Sequence, residues 1–267
     1  MTTRVGRTLD GIFSWTGRLV VGLSVAFMAI PALFIMVLSF SNDRHIGFPP
    51  ETWGLDRYVE VLTSRTWLDP IVLSLEIAAL TALFALILVV PAVLGMKRGN
   101  LPGGTVLESA AVAPMLFPIA AYAVGLYAVF AEADLLGTFH GIVIAHVVHA
   151  VPMVVIVLST ALDRVRPELE LAAMTMGASR ARAWIGITLR LLTPAVFGAA
   201  TLAFVTSFDE AVFITFLGGP GLVTLPKSIF DSVQYGVDPS ITAVATILMV
   251  VTAVLMLGAT RMRKDVR

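Results

Sequence analysis

The sequence contains no cysteine. A disulfide framework, a thiolate metal site and a cysteine nucleophile are therefore excluded, while the redox state of the compartment is left open. Charge is also scarce. Only 13% of the residues are Asp, Glu, Lys or Arg, and 18 acidic residues balance 18 basic ones to a net charge of zero. A soluble domain carries about a quarter of its residues charged. Nothing in this charge content calls for a nucleic-acid partner, and no internal repeat stands out. What fills the chain is apolar: 58% of the 267 residues are hydrophobic, with a mean hydropathy of +0.92. Such an excess belongs to a protein that crosses a membrane several times, with lipid as its main surroundings.

A helix needs about 20 apolar residues to cross the hydrocarbon core. Six stretches meet this length, at 19–40, 71–96, 106–130, 141–162, 195–217 and 241–260. The first follows Arg4, Arg7 and Asp10 and has no small-residue cleavage site, so it reads as a retained span. Pro31, Pro91, Pro114, Pro118 and Pro152 fall inside spans, where neighbouring helices can satisfy the carbonyls that proline frees. The expected organisation is all-α: a cytoplasmic N-terminus at 1–18, a first span with its outer loop at 19–69, a membrane domain at 70–260 and a cytoplasmic tail at 261–267. With the N-terminus inside, 14 of the 18 Lys and Arg are cytoplasmic, and only Arg44, Arg57, Arg65 and Lys227 lie outside. The positive-inside rule favours that orientation, which places both termini in the cytoplasm.

One cytoplasmic loop is built to fold. Within residues 163–194, Pro167 suits a first helical turn, and Glu168 and Glu170 set negative charge near that helix's positive end. Gly177-Ala178-Ser179 then interrupts: Gly177 permits a bend, and Ser179 can cap a second helix from Arg180. That helix is basic at Arg180 and Arg182 and apolar from Trp184 onward. Glu170, Ala173 and Gly177 share one face. Its small residues would let another protein approach closely, so the loop reads as a docking element.

Glu170, Ala172, Ala173 and Gly177, with Pro194 seventeen residues further on, form E-x-A-A-x-x-x-G followed by Pro. This pattern resembles the cytoplasmic EAA loop of permease subunits in binding-protein-dependent ABC importers. The common form has Glu-Ala-Ala contiguous, whereas here Leu171 separates Glu170 from Ala172. The resemblance implies a type I importer permease fold of six transmembrane helices in the bacterial inner membrane. It implies ATPase coupling through Glu170, Ala172, Ala173, Gly177, Ala178 and Ser179. It also implies partners: a second permease subunit completing a heterodimeric pore, two ABC ATPase subunits, and a periplasmic or lipid-anchored solute-binding protein. No catalytic residue, cofactor or ATP site is expected on this chain.

Residues 201–260 narrow the resemblance. Ser207-Phe208-Asp209-Glu210, Gly219-Pro220-Gly221, Leu225-Pro226 and Gly236-Val237-Asp238-Pro239 resemble the second permease subunit of spermidine/putrescine-type importers. The related permeases for ferric iron, phosphonates or opines look much alike, so those solutes stay open beside polyamines. Carboxylates inside spans are costly and usually face a cavity or partner. Asp209 and Glu210 in the fifth span, and Glu76 near the outer end of the second, would suit a path for an organic cation. Adjacent helical residues diverge by about 100°, so one of Asp209 and Glu210 is expected to face the pore while the other bonds a neighbouring helix.

Other features point less far. His146 and His149 form H-x-x-H without an evident third metal ligand, which suits interhelical hydrogen bonding better than a metal or an intramembrane enzyme. An ion-coupled secondary transporter would use the buried acids and leave the folded cytoplasmic loop unexplained. In the outer loop at 41–69, Trp53, Tyr58 and Trp67 suit an interfacial helix or a contact for an external partner. Residues 225–235, between turn-rich segments, are expected to form a short helix.

Overall fold

The computed structural model describes residues 4–99, 102–236 and 238–264, with side chains from 15 to 254. Every named element within them is helical: α1 (Arg4–Leu38), α2 (Asp56–Thr63), α3 (Arg65–Arg98), α4 (Gly104–Val112), α5 (Ile119–Glu132), α6 (Phe139–Asp163), α7 (Pro167–Thr175), α8 (Arg180–Ala183), α9 (Arg190–Phe208), α10 (Val212–Leu217), α11 (Leu225–Tyr235) and α12 (Ile241–Lys264). A 3₁₀ turn, Ala113–Leu116, follows α4, and a π-helical turn, Trp184–Leu189, joins α8 to α9.

Four of these helical stretches are long and apolar enough to cross a bilayer, and a fifth span results if the bent pair α4–α5 is counted as one. The expected third span is therefore not straight: its two halves meet at 108°. The cause is local. Pro118 has no N–H and crowds the residue before it, and Phe117 is extended at φ −94°, ψ 142°. The expected fifth span is also interrupted. α9 ends at Phe208 and α10 begins at Val212, so Asp209 and Glu210 occupy a break and not a helix. The sixth expected span lies in α12, of which the described apolar part is Ile241–Val254.

The chain divides into two compact units, residues 1–66 with 232–267, and residues 67–231. In the first, α1 and α2 both pack against α12. The loop at 41–69 folds tightly on its own backbone: Asn42 N donates to Thr52 O at 2.9 Å and Gly54 N to Phe40 O at 2.8 Å. Residues Trp15–Leu38 have none of their apolar window buried. A helix left bare by its own chain suits lipid or another subunit.

In the second unit α6 is central, with 61% of its apolar window buried against 39% for α3. One cluster packs Ala85, Val89 and Val93 of α3 on Val154, Leu158 and Leu162 of α6 and on Leu192, Ala199 and Ala203 of α9. A second packs Ile77 of α3 and Ile142 of α6 with Ala123 and Phe130 of α5 and Phe213, Ile214 and Leu217 of α10. At its edge Gly137 N donates to Leu217 O at 2.8 Å. A Cβ on Gly219 would come within 3.2 Å of the Gly137 Cα, so a side chain there would have to push this close crossing apart by a few tenths of an ångström.

Candidate functional site

The loop at 163–194 folds as its residues suggest. Pro167 occupies the first turn of α7, and the helix stops at Thr175. Gly177 has φ +92°, and two bonds close the corner: Ala178 N to Ala173 O and Gly177 N to Met174 O, both 3.0 Å. This is the Schellman arrangement, in which a left-handed residue lets the last carbonyls be satisfied. The spacing of Ala173 to Gly177 thus has a backbone cause. Ser179 then caps α8, its hydroxyl accepting from Arg182 N at 3.3 Å.

Glu170, Ala173 and Gly177 do not share one outward face: Glu170 turns inward, Ala173 is half-buried and Gly177 is exposed. Glu170 is only 5% exposed. Arg98 Nε and Thr188 Oγ1 donate to its Oε1 at 3.0 and 2.6 Å, and Trp184 Nε1 donates to Oε2 at 3.1 Å. A carboxylate at this depth is held by donors because an unpaired buried charge is costly. The outward surface carries instead Leu169, Leu171 and Met176, the last 85% exposed, together with Ala172, Thr175, Gly177 and Ser179. Ala173 and Ala178 are half-buried. Beside this helix lies a cleft of about 300 Å³ lined by Lys97, Arg98, Pro167, Glu170, Leu171, Met174 and Arg180.

The three acids expected within the spans have different surroundings. Glu76 on α3 is exposed. Asp209 is exposed and closes the end of α9. Glu210 is 6% exposed; it accepts Val212 N at 2.6 Å and Phe213 N at 2.8 Å and so caps α10. The adjacent acids diverge because both lie in the break between α9 and α10, not because of helical angle. Among the described residues no hydrogen bond or ion pair joins Glu76 to either.

Behind Glu210 lies a polar chain absent from the sequence reading as a set. His146 Nδ1 is 2.8 Å from Ser207 Oγ, which donates to Thr81 Oγ1 at 3.2 Å. His146 Nε2 lies 3.8 Å from Glu210 Oε2. α3, α6 and the end of α9 are thus bonded across the core. His146 does make an interhelical bond, and both histidine rings contact Phe213, His146 tilted at 56° and His149 edge-on at 72°. Thr81 carries no sequence signal of its own, since hydroxyls are common in membrane helices, and Ser207 stands out only as part of the Ser207-Phe208-Asp209-Glu210 run.

The loop at 41–69 has its own centre. Asp43 accepts from Thr52 Oγ1, Thr52 N, Glu51 N and Ser41 Oγ, and the buried Arg57 donates to the carbonyls of Ser41 and Asp43. The hydrogen bond from the Thr52 hydroxyl, then that from the Glu51 N–H, pull the Asp43 carboxyl down from 3.8 to about 2. Of the aromatic residues there, Trp67 is buried, Trp53 is exposed, and Tyr58 bonds Ser39 at 2.5 Å.

The chain is similar to known proteins over most of its length. The chain is 32% identical over 234 residues to the putrescine transport system permease protein PotI of Escherichia coli (strain K12), spanning 85% of this chain and 83% of that one. It is 28% identical over 230 residues to the spermidine/putrescine transport system permease protein PotC of Haemophilus influenzae, spanning 86% and 89%. Its fold resembles the crystal structure of a bacterial ABC transporter involved in the import of the acidic polysaccharide alginate, with a TM-score of 0.77, 16% identity and 98% of both chains covered. The family model of the binding-protein-dependent transport system inner membrane component matches residues 5–264. A multi-pass helical chain with this loop and this full-length match belongs to that family, the non-enzymatic permease component of ABC importers.

Proposed function

We propose that this chain forms half of a polyamine pore in the bacterial inner membrane, with six spans and both termini in the cytoplasm. A second permease subunit supplies the other half. Two ATPase subunits hydrolyse ATP on its behalf, and a periplasmic or lipid-anchored binding protein delivers solute. The observation that carries this reading is α7 itself: a capped, folded helix whose outward side bears Leu169, Leu171 and Met176 beside the Gly177 corner. Apolar residues on a charged loop are costly in water and suit a protein groove. Glu170, Ala173 and Ala178 act from behind, shaping the helix, while Ala172, Gly177 and Ser179 lie on the docking side.

Putrescine or spermidine is the proposed solute, supported by the relatives named for those polyamines and by exposed carboxylates. Asp209 meets the cation at the end of α9, Glu76 contacts it from α3, and Glu210 holds the break open.

Co-purification tests the docking. Met176→Glu and Leu171→Glu should each weaken ATPase capture by about tenfold or more, as losing a buried apolar contact does, with the permease still inserted. Unchanged capture, or putrescine uptake in vesicles without ATP, rejects the coupling. A binding screen of the cognate receptor against putrescine, ferric chelates and phosphonates decides the solute class.

A further inference from the structure

Arg98 is the last residue of α3 and does more than pair with Glu170. Its terminal nitrogen also donates to Leu162 O at 3.1 Å and Val165 O at 2.5 Å. Leu162 lies in the last turn of α6, where its carbonyl also accepts Val165 N at 3.0 Å, and Val165 lies two residues past the helix end; a guanidinium there meets the negative end of the helix. One guanidinium therefore ties α3 to α6 and, through Glu170, to α7. The same carboxylate takes its other donors, Trp184 and Thr188, from the π-helical turn that leads into α9. A π turn is wound less favourably than an α-helix and persists where tertiary contacts hold it. The cluster is shielded, with side-chain exposures of 13% for Arg98 and 7% for Glu170. Moving α7 alone would strand both charges away from water, which makes separation costly. Lysine cannot replace the arrangement, because an ammonium lacks the planar fork that reaches a carboxylate and two carbonyls at once.

We propose that Arg98 is a positioning residue for coupling: with Trp184 and Thr188 it bolts α7 to the ends of α3 and α6 and to the π turn, so that a push on α7 moves all four together. The inference rests on the docking reading of α7 given above.

The absence of cysteine permits a clean test with paired spin labels on Thr175 of α7 and Thr160 of α6, both exposed. In the wild-type transporter the distance distribution is narrow and the same with and without ATP. Arg98→Lys and Thr188→Val, the latter removing only the hydroxyl, each broaden it. In proteoliposomes supplied with putrescine, both variants lose about tenfold in uptake per ATP hydrolysed, the scale of one charge-assisted hydrogen bond. Hydrolysis itself stays near wild type; a merely structural defect would lower hydrolysis and uptake together. The proposal is overturned if both variants keep the wild-type width, or if the wild-type distance shifts between nucleotide states. The distance readout works on the permease without ATPase or solute. If no ATPase binds α7, the docking reading fails while a broadened distribution still reports the clamp.

Discussion

Gly177 shows how one residue shapes the loop. Its φ of +92° is paid for by no side chain, and a Cβ there would meet nothing within 4 Å. Gly177→Ala therefore suffers only the left-handed backbone, about 1–2 kcal/mol. Amide exchange at residues 173–178 should speed up by about tenfold, and an unchanged rate would refute the strained corner. Asp43 makes a second residue-scale case. Its carboxyl is held at about 2 in the folded loop against an ordinary 3.8. The stabilisation it gives is complete above the ordinary value and is lost as pH falls through the folded one. The exposed Trp53 should therefore report loosening of the loop as pH drops from about 4 towards 2. Thr52→Val should move that transition upward, visible in a carboxyl titration by NMR.

Breaks decide the elements. A continuous apolar run hides the interruption of the fifth span, which Glu210 stabilises by accepting two N–H groups of α10. Glu210→Ala leaves those donors bare and should cost about 1–2 kcal/mol in thermal unfolding. Asp209→Asn should leave unfolding untouched and lower putrescine uptake, since its side chain is exposed and makes no cap. Equal losses of stability in the two variants would contradict the division of labour between them. α7, α8 and α11 were legible in the sequence because proline, glycine and serine mark ends by local sterics and capping. The 108° bend between α4 and α5 was half legible: Pro114 and Pro118 were visible, but proline within a span can equally be absorbed by neighbours.

Across the whole molecule, orientation rests on the distribution of Lys and Arg. A single cysteine at Met176 should react with a membrane-impermeant maleimide only from the cytoplasmic side. One at Phe48, exposed in the outer loop, should react only from outside. The reverse pattern would invert the topology and remove α7 from any ATPase. Trp15–Leu38 is bare in this chain, so whatever covers it comes from outside the chain.

The sequence by itself determined that this chain is helical, membrane-crossing and equipped with a folded EAA-type loop, because apolar run length and end-capping residues act over neighbouring positions. Only the tertiary structure decided that Glu170 turns inward to Arg98, Trp184 and Thr188, and that Glu210 backs onto His146 while Asp209 stays open. Arg98 and Glu170 stand 72 positions apart, and His146 and Ser207 stand 61 apart. Hydrogen bonds over such separations depend on how helices pack, and helix periodicity carries no record of which neighbour lies across the interface.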